Sequence, residues 1–160
     1  MPLPTSSKMR ISLLKKDEII DFVEFNITGD AENYIRCDDE SYYLQTNVFN
    51  IFAGCFERSH HLFDYISPTM YNARRFIPLR NELLVNLEKL LVIKNVSQFQ
   101  QYLSQVFLGK DLLEVLKQID PEYERHWKGY IRRLIQVNRH IMRLIDQCID
   151  EERVLWVIPY

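Results

Sequence analysis

Short runs of alternating apolar and polar residues predict β-strands near the N-terminus. Residues 22–28 alternate in this way, which would turn one face of a strand toward a core. Residues 34–37 and 42–45 are two further short runs, and the polar segment 38–40 between them is typical of a hairpin turn. The N-terminal part of the chain therefore has the pattern of a small sheet.

The segment before these strands has two interpretations. Residues 9–14 contain a short apolar run that suits another strand. Residues 17–25 also fit a short helix with Ile19, Ile20 and Phe22 on its buried face. The pattern leaves helix and strand open over residues 17–25. We expect residues 1–8 to be disordered.

After residue 46 the apolar period changes from two to 3.6, which predicts helices as far as residue 152. Asn47 can cap a first helix, whose apolar face would run from Val48 to Ile66 before Pro68 ends it. Pro78 suits the first turn of a second helix, which would bury a stripe of leucines. The leucines of this stripe are Leu79, Leu83, Leu84, Leu87, Leu90 and Leu91.

Capping signals divide the rest of the helical region. Asn95 and Ser97 are typical of a helix start, and Ser97 with Gln100 has the spacing of a capping box, which predicts a third helix that ends before Gly109. A further short helix would follow, with an apolar face over residues 112–119. Asp120, followed by proline and glutamate, predicts the start of a long helix of about 30 residues and about 45 Å.

The C-terminal run 154–158 is apolar and rich in β-branched and aromatic residues, which predicts a strand. We expect this strand to pair with the N-terminal strands. The chain of 160 residues has the size of one domain, so we assign residues 1–160 to a single domain. The predicted fold is α+β and predominantly helical, with four to five helices over about 46–152 packed on the small sheet.

Composition and cysteine usage indicate a soluble cytoplasmic protein. No apolar run approaches the roughly 18–20 residues that span a bilayer. Cys37, Cys55 and Cys148 are odd in number and show no paired spacing, which favours reduced thiols over a disulfide framework. We therefore expect a cytoplasmic location and no contact with a membrane.

The charges are unevenly distributed, although the formal net charge is only −2. Residues 17–40 contain nine acids, among them Asp38, Asp39 and Glu40, against one base. Residues 125–143 contain six bases and no acid. These bases are Arg125, Lys128, Arg132, Arg133, Arg139 and Arg143, and most of them fall on one stripe of the predicted long helix.

Two surfaces of opposite charge suggest a module that binds another protein, because complementary charge steers and orients an encounter. Our hypothesis is a small inhibitor or immunity-type protein that binds a toxin or enzyme. Its partner-binding residues would be the six bases together with Asp38, Asp39 and Glu40. Tyr71 is added because it lies in a segment without apolar periodicity, and loops often carry binding residues. The same arginines could instead cover a solvated helix face or pair with the acidic region.

Two other classes of function remain as alternatives. In the first, an enzyme would hold a metal with His60 or His61, nearby carboxylates, and His126 or His140. In the second, the basic face would bind nucleic acid, although the net charge is unlike that of a strongly basic binder. The four glycines are too far apart for either phosphate-binding loop motif, and no sequence pattern predicts a cofactor or a metal.

Overall fold

A computed structural model of the chain describes residues 11, 13, 21–106 and 108–160. The predicted α+β class is confirmed: in this part of the chain, five helices pack on a four-stranded antiparallel sheet. The elements are, in chain order, β1 (Phe22–Asn26), β2 (Tyr42–Gln45), α1 (Thr46–Ser59), β3 (Thr69–Tyr71), α2 (Ala73–Leu91), α3 (Val96–Gln105), α4 (Gly109–Ile119), α5 (Trp127–Asp150) and β4 (Leu155–Pro159).

The strands are arranged in the order β2-β1-β4-β3. The C-terminal strand β4 lies beside β1, as predicted, with Phe25 opposite Val157. Its other neighbour is β3, which was missed because Thr69–Tyr71 is only three residues long and shows no alternation of its own. The sheet is therefore completed by residues distant in sequence.

The main core lies between one face of the sheet and α1. Phe25 is fully buried on that face, and its ring lies 6.1 Å from the Phe49 ring and 5.9 Å from the Phe56 ring of α1. Helix α2 packs on both α1 and α5.

A loop over residues 27–41 returns across the opposite face of the sheet. The buried side chain of Asn26 holds it there, because Oδ1 accepts hydrogen bonds from the amides of Gly29 and Ile35 while Nδ2 donates to Thr28 and Ser41. The predicted hairpin is wrong in its first strand: residues 34–37 are loop, and β2 pairs with β1 instead. Several amides of this loop bond to side chains, among them those of Asn26 and Glu24, rather than to a partner strand.

The first helix begins one residue before the predicted cap and ends well before Pro68. Asn47 lies inside α1, and Gln45 in the N-cap position makes no capping hydrogen bond through its side chain. Beyond Ser59 the backbone leaves the helix, so Phe63 belongs to a loop and Ile66 is 87% exposed. The apolar spacing of the loop residues coincides with the helical period without a helix being present.

Helices α2 and α3 are capped by asparagines. Asn72 accepts a hydrogen bond from the amide of Arg74, so α2 begins earlier than predicted and Pro78 lies in its second turn. Leu84 and Leu91 are exposed, whereas the other leucines of the stripe are buried. Of the two predicted start residues of α3, Asn95 is the cap and accepts a hydrogen bond from the amide of Gln98, whereas Ser97 lies inside the helix.

The long helix starts later than the sequence predicts. Asp120 does accept a hydrogen bond from the amide of Glu122, but residues 121–126 form turns and α5 begins at Trp127.

Within the described residues, no helix is long and apolar enough to cross a membrane. Of the predicted strand over 9–14, the structure describes only residues 11 and 13, and neither lies in a strand. The predicted disorder of 1–8 lies outside the described residues, as do residues 17–20. Residues 22–25, which could have ended a short helix, form part of β1.

Candidate functional site

The six predicted basic residues all lie at the surface of the protein. Lys128, Arg132, Arg139 and Arg143 occur at intervals of four, seven and four residues along α5, and this spacing returns to one face of a helix. Arg125 precedes the helix instead of lying on it. The basic stripe is thus formed by α5 alone, along its outer face.

Three of the bases have neighbours that engage their charge. Arg125 forms an ion pair of 3.1 Å with Glu122. Lys128 and Arg133 lie over the rings of Trp127 and Tyr130, at 5.8 Å and 5.7 Å from the ring centroids. Such contacts hold the cationic groups close to the helix surface.

The other three bases, Arg132, Arg139 and Arg143, form what we call the arginine face. None of them has a hydrogen bond or an ion pair with the described residues. Arg132 and Arg143 are separated by eleven residues, which is about 17 Å along a helix. The arginine face is therefore a positively charged strip on the exposed side of α5.

Residues 38–40, which we call the acidic loop, lie beside the C-terminal half of α5. The ring of Tyr42, just after this loop, lies 5.3 Å from the ring of His140 on α5. Asp39 and Glu40 line a surface pocket together with Gln147 of α5. Since Arg143 lies one turn from both His140 and Gln147, the negative and positive surfaces adjoin.

Tyr71 does not belong to this surface, and its assignment as a partner-binding residue is corrected. It is the last residue of β3 and is completely buried. Its hydroxyl donates a hydrogen bond of 2.6 Å to the carbonyl oxygen of Phe56, and burial raises the pKa of the phenol well above its usual value. The segment lacked helical periodicity because it forms a strand, and its tyrosine joins the sheet to α1.

The predicted histidine site is not assembled. His60 and His61 follow α1, His126 lies at the start of α5, and His140 lies beside β2. Among the described residues, no three metal-binding side chains come together in a cluster.

The local contacts of two histidines explain their positions. Both ring nitrogens of His60 face backbone groups, the carbonyl of Met70 at 3.1 Å and the amide of Leu62 at 3.2 Å. Burial, followed by the charge of Arg75, lowers the pKa of His60. His126 instead lies 2.8 Å from Asp120, and this hydrogen bond lowers the pKa of the aspartate.

Glu24 is one of the nine acids counted over residues 17–40, and its side chain is fully buried. One carboxylate oxygen, Oε1, accepts hydrogen bonds from the amide of Cys37 at 3.0 Å and from the hydroxyl of Tyr160 at 2.8 Å. The other oxygen, Oε2, has no hydrogen-bond partner in the part of the chain that the structure describes. Alternation in β1 places Glu24 on the face away from α1, and only the folded loop over that face encloses it.

A second feature that sequence reasoning missed is a pocket at the start of α1, lined in part by Asn50. The sequence feature that could have indicated the pocket is an asparagine within the run of apolar residues that α1 buries.

Comparison with known proteins finds no matching family model, no matching curated protein and no matching solved structure. A function must therefore be inferred from the residues themselves.

Proposed function

We propose that this protein is an interaction module whose arginine face binds an acidic surface of a partner protein. The observation that supports the proposal is the exposure of Arg132, Arg139 and Arg143 on one side of α5 without an ion-pair partner among the described residues. An arginine without a carboxylate neighbour keeps its five donors for a ligand, and its planar group can bind a carboxylate through two hydrogen bonds.

The acidic loop would orient the partner on this surface. Asp39 and Glu40 are exposed beside the C-terminal half of α5, so a partner would meet negative charge next to the positive strip. A partner with the opposite pattern is attracted in one orientation and repelled in the reversed one. Charge of this kind mainly raises the association rate. Added salt screens the attraction and lowers the rate again.

The partner that we favour is a toxin or another enzyme, which this protein would inhibit in the manner of an immunity protein. An adjoining pair of oppositely charged surfaces on a small fold supports such tight and selective binding. We place the interaction in the cytoplasm, because Cys37, Cys55 and Cys148 are all free thiols and such thiols persist under reducing conditions.

A comparison of two triple variants tests the proposal. In the first, Arg132, Arg139 and Arg143 are each replaced by glutamine; in the matched control, the exposed residues Arg74, Lys94 and Lys110 are replaced by glutamine. Both variants lose three positive charges, so they have the same net charge. Tagged proteins are used to capture partners from a nuclease-treated lysate of the source, followed by quantitative mass spectrometry.

We expect one protein to be captured in stoichiometric amount by the wild type and by the control, and to be depleted in the arginine variant. The association rate of the purified pair should fall as salt rises, with a weaker salt dependence in the arginine variant. Equal capture by all three proteins would refute the role of the arginine face. Capture that occurs only in a parallel lysate without nuclease would instead indicate nucleic acid and refute a direct protein partner.

A further inference from the structure

Several exposed apolar side chains lie on one side of α2. They are between 40% and 65% exposed, and we call them the α2 surface: Ile77, Leu84, Val85, Leu91 and, at the C-cap, Val92. The first, second and fourth of them follow one another at intervals of seven residues, which return to the same side of a helix. Exposed apolar residues that occur singly need no explanation, whereas a row of them on one helix indicates contact with another molecule.

Helix α2 buries its other sides against α1 and α5. Arg80 forms an ion pair with Asp146 of α5, and Glu82 forms one with Arg58 of α1, both at 2.8 Å. With about 3.6 residues per turn, the α2 surface lies between Arg80 and Glu82, on the side that faces neither of these helices. The packing of the described residues therefore leaves this apolar side of α2 open to solvent.

Two charged residues of opposite sign lie on the same side of the helix as the α2 surface. Arg74 precedes Ile77 by three residues, and Glu88 follows Leu84 by four. Neither charged side chain has a hydrogen bond or an ion pair with the described residues. They are fourteen residues, or about 21 Å, apart, and the exposed Asn81 lies midway between them.

This pattern is complementary to itself when two copies of α2 run in opposite directions. A two-fold axis beside Asn81 places Arg74 of each copy opposite Glu88 of the other, because both are seven residues from Asn81. Ile77 of one copy then meets Val85 of the other, because both are four residues from Asn81. Parallel helices would instead bring each charge next to an identical charge, which is repulsive.

We propose that the α2 surface is the interface of a homodimer, in which two copies of α2 pack antiparallel about Asn81. The apolar side chains form the centre of the interface, and the two pairs of Arg74 with Glu88 flank it. The carboxamides of the two Asn81 residues meet at the axis, where each donates a hydrogen bond to the other. A polar pair of this kind fixes the register of packed helices.

The interface is small, because each chain contributes a single helix. We therefore expect a reversible dimer with a Kd on the order of 10–100 μM. Sedimentation equilibrium over a concentration series from about 1 μM to about 1 mM covers this range. The average mass of the wild type should rise along the series from that of one chain to that of two.

Two apolar substitutions test whether the α2 surface forms the dimer. Ile77→Gln and Leu84→Gln each place a polar side chain in both halves of the interface, and each should weaken dimerisation about tenfold or more. Ile66→Gln is the matched control, since Ile66 is 87% exposed and lies in a loop outside α2. The control should dimerise as the wild type does. Circular dichroism verifies that each variant is folded.

Charge reversals test the antiparallel arrangement. Arg74→Glu places acids opposite each other at both ends of the interface, and Glu88→Arg places bases there, so each variant alone should dimerise about tenfold more weakly. An equimolar mixture of the two variants restores opposite charges at both ends, and it should form a heterodimer with about the wild-type affinity. Lys110→Glu, an exposed charge reversal on α4, is the control and should behave as the wild type.

Three results would overturn the proposal. A wild type that stays monomeric throughout the series would show that the α2 surface does not bind a second copy. Folded Ile77→Gln and Leu84→Gln variants that dimerise as tightly as the wild type would place the interface elsewhere. A mixture of the two charge variants that stays monomeric would exclude the antiparallel arrangement.

The dimer does not depend on the arginine face, because the α2 surface and the arginine face are formed by different helices. The triple glutamine variant of Arg132, Arg139 and Arg143 should therefore dimerise as the wild type does. This proposal and the proposed function fail independently.

Discussion

Asn86 of α2 donates a side-chain hydrogen bond of 2.9 Å to Oδ1 of Asn138 of α5, in the interior of the protein. The amide of Asn138 in turn donates to the carbonyl oxygen of Leu83, and Tyr102 of α3 donates to Oδ1 of Asn86. Three helices are thus joined by one buried polar network. Buried polar groups that satisfy one another fix the relative positions of the elements that carry them.

Replacement of Asn138 by leucine should destabilise the protein by about 2–4 kcal/mol. The substitution leaves the Asn86 amide and the Leu83 carbonyl without this partner in the core, and each orphaned group costs about 1–3 kcal/mol. Urea unfolding measures the effect. In the double variant with Asn86→Leu, the second substitution should cost less than it does alone, because one hydrogen bond is already lost. A single variant within about 0.5 kcal/mol of wild type would contradict this account.

Two glycines should respond to alanine in opposite directions. Gly129 lies inside α5 with open space around its Cα, so Gly129→Ala should stabilise the protein by about 0.5–1 kcal/mol. At Gly109, a Cβ would overlap the backbone carbonyl oxygen of Leu103 and a methyl group of Val106. Gly109→Ala should therefore lower the melting temperature. The reverse order of the two melting temperatures would refute this packing.

The stability should fall above pH 9 because of two buried thiols. Burial raises the pKa of Cys55 to about 11 and that of Cys148 to about 12, from an ordinary value of 9.0. Between pH 9 and 11 the unfolded chain loses protons that the folded protein retains. The contribution of the two thiols to the free energy of unfolding is therefore fully present below pH 9. It decreases as the pH rises, by about 1.4 kcal/mol per pH unit for each thiol.

Urea midpoints at a series of pH values measure this dependence. The variant with Cys55→Ala and Cys148→Ala should show a shallower decline between pH 9 and 10 than the wild type, whatever its absolute stability. Cys37→Ala is a control at the partly exposed third cysteine, and it should retain the wild-type slope. Equal slopes for the wild type and the double variant would show that other groups cause the decline.

Tyr160→Phe should destabilise the protein by about 1–2 kcal/mol, because it removes one of the two donors to the buried carboxylate of Glu24. Tyr34→Phe is a suitable control: the Tyr34 ring lies against Trp156, but its hydroxyl has no hydrogen bond with the described residues. The control should remain within about 0.5 kcal/mol of wild type in urea unfolding. Equal effects of the two substitutions would show that the hydrogen bond from Tyr160 to Glu24 does not cause the loss.

The periodic elements could be predicted because each follows from a local pattern. Strand β1 and the pairing of β4 beside it agree with the alternation and with the apolar content of the two segments. The basic stripe also followed from spacing alone, since residues four and seven apart lie on one face of any helix. Element ends were less accurate, because the caps were set by Asn72 and Asn95 rather than by the residues with the most familiar signatures.

The sequence by itself thus determined the α+β class, the helical faces and the exposed charge on α5, all of which depend on interactions between residues close in the chain. Only the tertiary structure decided that Tyr71 and Glu24 are buried and that the acidic loop adjoins α5. It also decided that Thr46 and Asn50 line a pocket closed by distant segments. These outcomes depend on contacts between residues far apart in sequence, which the fold brings together only when the sheet, the loops and the helices pack.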